Sequence, residues 1–370
     1  GHGSVVGVLL IGFDDNMAAK TGIAGAFTGM PIARIAGGHN HGGDEIAPLD
    51  TAALAGELDA WADRVDAIAI ASQFAVRNPA HEQAARDIVI ARTGKPVTVS
   101  SELSSALDAP RRALTAVLNA RLIARITGLI DAVRTSMDQA GIKAPLMIVK
   151  GDGTLALAET VAMRPIETIL SGPAASLVGA AALSGLDDFI MSDMGGTTSD
   201  LGILSQGRPK VSEIGAEVGG WRTMVKAIDV TTIGLGGDSE VLMSMNGDLS
   251  VGPRRVVPIS LIGAHYPDVL ARLEREWADA GLSVAAQFVM LPMGAGNGVA
   301  DATGLSARES EVLALVTEQP QAVSSISASS SRQRTLHSLQ RKGFVQVAGF
   351  TPSDAAHVLG LQDTWSGTAA

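Results

Sequence analysis

The stretch FIMSDMGGTTSDLGIL, Phe189 to Leu204, constrains the fold more than any other part of the chain. Two short apolar runs are joined by a turn that carries two carboxylates, two glycines and three hydroxyls. Apolar runs of this length bounded by turn signals read as buried strands, and Gly195-Gly196 frees the backbone to take positive φ. Such a turn can aim amide N–H groups outward, add the hydroxyls of Thr197, Thr198 and Ser199, and set Asp193 and Asp200 beside them. Donors for phosphate oxygens and hard carboxylates for a cation are what a magnesium-bound phosphate group requires. An ordinary hairpin whose polar residues only satisfy the turn gives the same pattern, so both readings stand at this point.

Around this turn the chain is long enough for two or three domains, at 370 residues. Its boundaries read as 1–143, an α/β region ending in a long amphipathic helix, 144–293, the lobe that holds the turn, and 294–370, an accessory lobe. Aromatics are 3% of the residues, so Ala, Leu, Ile and Val must fill the core, which favours helix-covered sheets over a stacking surface for bases. The net charge of -10 argues against a phosphate-neutralising field over the whole protein, and no nucleic-acid partner is expected. With no cysteine there is no disulfide, thiol nucleophile or thiolate metal site. No run approaches the length of a membrane span and the first residues lack a signal-peptide pattern, so a cytoplasmic location without a membrane partner is the expectation.

Residues 5 to 110 alternate strand-like VVGVLLI, DAIAIASQFAV and PVTVS with helix-like TAALAGELDAWADRV and HEQAARDIVIAR, the signature of an α/β layer with partly parallel strands. Pro79 stands at a helix entry. Leu114, Val117, Leu118, Leu122, Leu129, Val133 and Met137 then predict one long amphipathic helix, with Arg111, Arg112, Arg121 and Arg125 along its solvated side. SGPAAS should launch a further helix, with Ser171 as N-cap and Pro173 in its first turn. MVKAIDVTTIGLGGDSEV reads as a strand entering a second glycine turn at Gly234, Gly236 and Gly237. Ser239 replaces the third glycine of a dinucleotide fingerprint and no helix follows, which rejects a Rossmann site.

The last hundred residues suggest helix, polar turn, helix and a short β-wing, a winged-helix-like outline entered through the glycine-rich linker MGAGNGVADATG. Arg332, Arg334, Arg341 and Lys342 supply some basic charge for DNA, yet the acidic whole favours a small accessory lobe. His39 and His41 sit in a glycine-rich loop, and Asp354 and His357 share one face of a helix after Pro352. A divalent-metal site joining His39 or His41 with Asp354 and His357 is one reading; loop histidines in water and an N-capping aspartate are the other.

SDMGGTTSDLGIL, preceded by RPIETILSGPAASLVGA and followed by GGWRTMVKAIDVTTIGLGGDSEV, resembles the hydantoinase/oxoprolinase A-subunit family, relatives of N-methylhydantoinase A and ATP-dependent 5-oxoprolinase. AGGHNHGGDEIAPLD, FAVRNPAHEQAARDI and SSELSSALDAPRRALTAVLNARL fit as well, so the resemblance runs from about Val5 to about Pro258. It implies an actin, sugar-kinase and Hsp70-type fold, in which two ribonuclease-H-like lobes clamp ATP. Asp193, Gly195, Gly196, Thr197, Thr198 and Asp200 then match the second phosphate loop, with Asp193 on Mg²⁺ or its waters and Asp200 orienting the Mg²⁺ or the attacking group. Gly234, Gly236, Gly237 and Asp238 match the adenosine-side turn, and Gly172 and Pro173 the SGPA turn beside the cleft.

The family opens with a first phosphate loop of the form DxGGTxTD, and no such segment precedes VVGVLLIG. The lobes are therefore expected to be incomplete at the N-terminus, and this stretch by itself to bind ATP poorly. The implied activity is ATP-dependent hydrolysis of a hydantoin or 5-oxoproline through phosphorylation of the amide oxygen, with a B-type hydantoinase subunit as partner and a homo-oligomeric assembly. A sugar-kinase-like phosphotransferase or an Hsp70-like ATPase of the same superfamily is the alternative. The chain lacks GxxxxGK[ST], GxSxG and HExxH, which fits a reaction carried by positioning and charge neutralisation.

Overall fold

A computed structural model of the chain describes residues 4–27, 29–244, 246–280, 287–293, 304–327 and 329–370. They form a mixed α/β structure that divides into two compact units, Gly1–Met191 with Gly202–Val230, and Ser192–Leu201 with Thr231–Ala370.

In the first unit a parallel sheet runs in the order Ile32–Ile35, Val6–Ile11, Ala67–Ser72, Val97–Val99. Every residue of the two central strands is buried, which is why they read as continuous apolar runs and not as alternating ones. Thr51–Trp61 and Ala80–Thr93 cover one face, packing Leu54, Leu58, Ala85 and Val89 on Leu9, Ile11, Ile68 and Ile70. A Cβ on Gly7 would lie 2.2 Å from the Trp61 ring, so the strand carries glycine where the indole lies across it. The opposite face is covered by the first half of the helix Ala109–Gln139, through Ala113, Ala116, Val117 and Ala120.

That helix is long and apolar enough to cross a membrane by length and composition, but its first half is core. Leu129 and Val133, expected on its apolar face, are exposed. Three of its four solvated arginines are engaged instead. Arg112 is 1% exposed and its guanidinium donates to the Ser72 and Ala106 carbonyls and the Ser100 hydroxyl. Burial lowers its pKa, and Glu82, itself buried, partly offsets that shift. Arg111 donates to the carbonyls of Ile214, Arg222 and Thr223, and Arg121 lies over the Phe27 ring at 4.5 Å. Arg125 alone of the four is exposed.

Ser171–Ser184 is a helix, with Ser171 its first residue. The capping position falls one residue earlier, on Leu170, which takes a left-handed φ of 62° to turn the chain out of the preceding 3-10 turn Pro165–Thr168.

The second unit carries a sheet in the order Val257–Pro258, Gln346–Gly349, Phe288–Met290, Gln321–Ala322. Its first pair is parallel and the others antiparallel. The segment expected as a β-wing is thus an inner strand of this sheet, with Val347 and Ala348 buried. The boundary expected between 293 and 294 likewise falls inside one sheet, since Phe288–Met290 pairs with Gln346–Gly349. Apart from Met293 and Gly304, the expected linker lies outside the described residues.

Candidate functional site

Phe189–Met194 and Ser199–Ser205 are neighbouring strands, with Val230–Ile233 on the far side of the latter. Between the first two, the Gly195 amide donates to the Thr198 carbonyl at 2.9 Å and closes a tight turn. The second glycine turn lies directly against it. The Gly237 amide donates to the Gly195 carbonyl at 3.0 Å, and the Asp238 amide to the Gly196 carbonyl at 2.7 Å. A Cβ on Gly236 would sit 2.6 Å from the Gly195 oxygen and 2.7 Å from the Gly196 oxygen, a backbone approach open only to glycine. The Ser199 hydroxyl donates to the Leu235 carbonyl at 2.7 Å, and the Gly236 amide to the Ser239 hydroxyl at 2.9 Å.

The amides of Gly236, Gly237 and Asp238 are therefore committed inside the protein, while Gly196 and Thr197 are exposed residues whose amides have no protein partner among the described residues. Asp200 is half-buried, and its Oδ1 accepts from the Thr232 hydroxyl at 2.6 Å. Asp193 is half-buried and accepts no hydrogen bond among the described residues. Asp238 pairs with Arg255 at 3.0 Å. Three carboxylates against one guanidinium would repel a bare polyphosphate; a cation-bound phosphate fits, with hard oxygens for the ion and free amides for the anion. Gly234 belongs to the supporting turn, its carbonyl oxygen 2.9 Å from where a Cβ of Gly252 would stand. Gly172 is exposed in the first turn of its helix in the first unit.

Among the described residues no three His, Asp or Glu side chains group as metal ligands; of the residues read as a metal site, His39 belongs to the first unit and Asp354 and His357 to the second. Asp354 is buried, and its carboxylate accepts from the amides of Ile259, Ser260 and Thr351 and the hydroxyls of Ser260 and Thr351. His357 Nδ1 donates to the Ser353 carbonyl and Nε2 accepts from the Trp365 amide. His41 is exposed. His39 is buried, its Nδ1 without a partner among the described residues, with its ring 4.4 Å from that of His81. Burial and then His81 lower its pKa, so it is neutral at pH 7. His81 accepts the Gly38 amide on Nδ1, which places its proton on Nε2, 3.4 Å from Glu45.

One further group went unread in the sequence: Lys150, Asp152 and Glu167, which line a cavity in the first unit. The only local signal was the turn sequence KGDG.

The chain belongs to the hydantoinase/oxoprolinase family. Residues 112–258 match Hydantoinase/oxoprolinase, and residues 26–93 match the Hydantoinase/oxoprolinase N-terminal region. Caprolactamase subunit alpha of Pseudomonas jessenii is 32% identical over 219 residues, 57% of this chain and 31% of that protein. The crystal structure of the ATP-dependent caprolactamase from that organism superposes with a TM-score of 0.55 at 28% identity, covering 68% of this chain and 39% of the other. The acetophenone carboxylase gamma subunit of Aromatoleum aromaticum is 28% identical over 57% of this chain and 30% of its own length. 5-Oxoprolinase 1 of Arabidopsis thaliana is 26% identical over 66% of this chain and 19% of its own length. The chain thus spans about a third or less of the curated relatives it matches.

Proposed function

We propose that this chain supplies nucleotide-binding machinery to an ATP-dependent enzyme that hydrolyses a cyclic amide of the hydantoin or lactam type. The observation that carries the reading is the pair of hydrogen-bonded glycine turns, Gly195–Thr198 against Gly236–Asp238, which holds the amides of two exposed residues beside Asp193 and Asp200. On this reading the pair is the second phosphate loop and adenosine-side support of an actin, sugar-kinase and Hsp70-type fold built on ribonuclease-H-like lobes. The residues present fit Mg-ATP: the Asp193 carboxylate accepts no hydrogen bond among the described residues and would hold Mg²⁺ or its waters, and Thr232 fixes Asp200. When bound, ATP would supply a phosphoryl group to the amide oxygen, turning a resonance-stabilised carbonyl into an electrophile that water opens. The chain's part is positioning, through amides aimed at phosphate oxygens and carboxylates held without reorganisation. The partner is a B-type subunit, the assembly a homo-oligomer of such pairs and the location cytoplasmic.

Similarity to the acetophenone carboxylase subunit favours a second reading, carboxylation of a ketone. In the full-length protein with its partner subunit, turnover of ATP is measured against hydantoin, 5-oxoproline, lactams, sugars, and ketones with bicarbonate. Coupling to a ring amide is the expected result, and Asp193→Ala should lower it by about 10² or more. Turnover unchanged by that substitution overturns the site, and coupling only to a ketone or a sugar overturns the substrate class.

A further inference from the structure

The first unit contains a cavity of about 280 Å³ whose lining includes Leu103, Ser105, Lys150, Asp152, Glu167 and Met224. Its charged wall is built around Gly151. The Gly151 amide donates to the Glu167 carbonyl and its carbonyl accepts from the Ile228 amide, both at 2.7 Å, and a Cβ at this position would lie 1.9 Å from the Ile169 oxygen. Lys150 and Asp152 therefore flank a residue pinned from two sides. Asp152 Oδ1 takes the Thr154 amide and hydroxyl at 3.0 and 2.6 Å. Lys150 Nζ then stands 3.4 Å from Asp152 Oδ2 and 3.4 Å from Glu167 Oε2, with the three side chains 23%, 28% and 22% exposed.

Hydrogen-bond capacity is left over on both sides of this pair. An ammonium carries three donors, and among the described residues the Lys150 ammonium makes one hydrogen bond, to Asp152. The Glu167 carboxylate accepts none among the described residues; its cationic neighbours, Lys150 and Arg164, are at 3.4 and 3.8 Å. The cavity thus presents a spare donor and a spare acceptor side by side. Both of its lysines already face carboxylates, since Lys226 lies 3.7 Å from Glu213, so it offers a ring carboxylate no unpaired cation. The complement is a neutral group with an acceptor and a donor on one edge. A trans peptide points its C=O and N–H in opposite directions, whereas a small ring holds the amide cis and presents both on the same edge.

We propose that this cavity binds a small neutral cyclic amide, with Lys150 donating to the carbonyl oxygen and Glu167 accepting the ring N–H. The proposal rests on the cyclic-amide reading above and sharpens it, because it favours hydantoins and simple lactams over 5-oxoproline.

The test is titration calorimetry and ligand-observed NMR on the full chain, with pyrrolidinone, its N-methyl derivative, hydantoin and 5-oxoproline as probes. Pyrrolidinone and hydantoin should bind, and the N-methyl derivative should bind about tenfold or more weakly, the scale of a lost hydrogen bond to a charged group. Lys150→Met with Glu167→Leu removes this pair together, leaving Asp152 held by the Thr154 amide and hydroxyl, and should weaken pyrrolidinone by about tenfold or more. Equal affinity for the two pyrrolidinones, unchanged affinity in the double variant, preference for 5-oxoproline, or no ring binding to the wild type each overturns the proposal. If the double variant fails to fold, the two pyrrolidinones on wild-type protein still decide. Ring binding without nucleotide binding by the parent protein would sink the ATP-dependent reading and leave this one standing; nucleotide binding without ring binding would do the reverse.

Discussion

The glycine-turn pair in the second unit and the Lys150 cavity in the first are built by opposite means. The turn pair is made of backbone: carbonyls of Gly195 and Gly196 meet amides of Gly237 and Asp238, and the free donors are main-chain N–H groups. The cavity is made of side chains: Lys150, Asp152 and Glu167 supply the polar groups, and glycine enters only to let their segments meet. Backbone sites need residues that permit a conformation and an approach, whereas side-chain sites need charges whose cost of burial is offset by neighbours.

Substituting the one glycine that makes each site possible tests that contrast. Gly151→Ala drives a methyl into the Ile169 carbonyl, backbone against backbone. The loss should reach the upper end for single substitutions, about 3 kcal/mol or more in urea unfolding of the first unit. Gly236→Ala meets the Gly195 and Gly196 carbonyls at longer range, so it should cost less stability, about 1–3 kcal/mol, while abolishing Mg-ATP binding in the parent protein. A stable Gly151→Ala would mean that the cavity wall gives. Nucleotide binding retained by Gly236→Ala would mean that the contact between the turns is incidental.

Asp354 offers an intermediate case, a side chain that serves the fold alone. Its five donors are two hydroxyls and three amides, and all belong to the protein. Asp354→Asn turns an acceptor-only group into one that must aim N–H at donors, and should destabilise the second unit by about 2 kcal/mol. A chelator should leave the thermal midpoint of the wild type where it was. A midpoint lowered by chelation would support the metal reading of Asp354 and His357.

How much was legible follows the same division. The turns at Gly195-Gly196 and in GLGGDS could be read because their glycines are local signals, although Ile190 and Met194, expected in a buried strand, are exposed; the parallel sheet could be read because its strands are continuous apolar blocks. The cavity was not legible, since Ser105, Lys150, Glu167 and Met224 are scattered along the chain and meet only through tertiary packing. Arg112 was read as a solvated face because helical spacing does not show that Ser72 and Ser100 lie opposite it. The inner place of Gln346–Gly349 was not legible for a related reason: its partners include Val257–Pro258, far away in sequence.

The smallest effect concerns a carboxylate that holds two helices of the second unit together. Glu309 accepts from Lys342 and the Ser338 hydroxyl on one oxygen, and from the Ser306 amide and hydroxyl on the other. These hydrogen bonds, that from Lys342 first, lower its pKa from 4.5 to about 2. A folded pKa below the unfolded one means that the contribution is complete above the unfolded value of 4.5 and is lost as pH falls toward 2. Glu309→Gln should therefore flatten the acid limb of the second unit's stability across that window, read as urea midpoints against pH, and leave cyclic-amide binding by the first unit unchanged. An acid limb as steep as the wild type's would show that Glu309 titrates like an exposed carboxylate. Lys342 and the two serines would then be contacts without consequence, unlike the backbone contacts of the glycine turns.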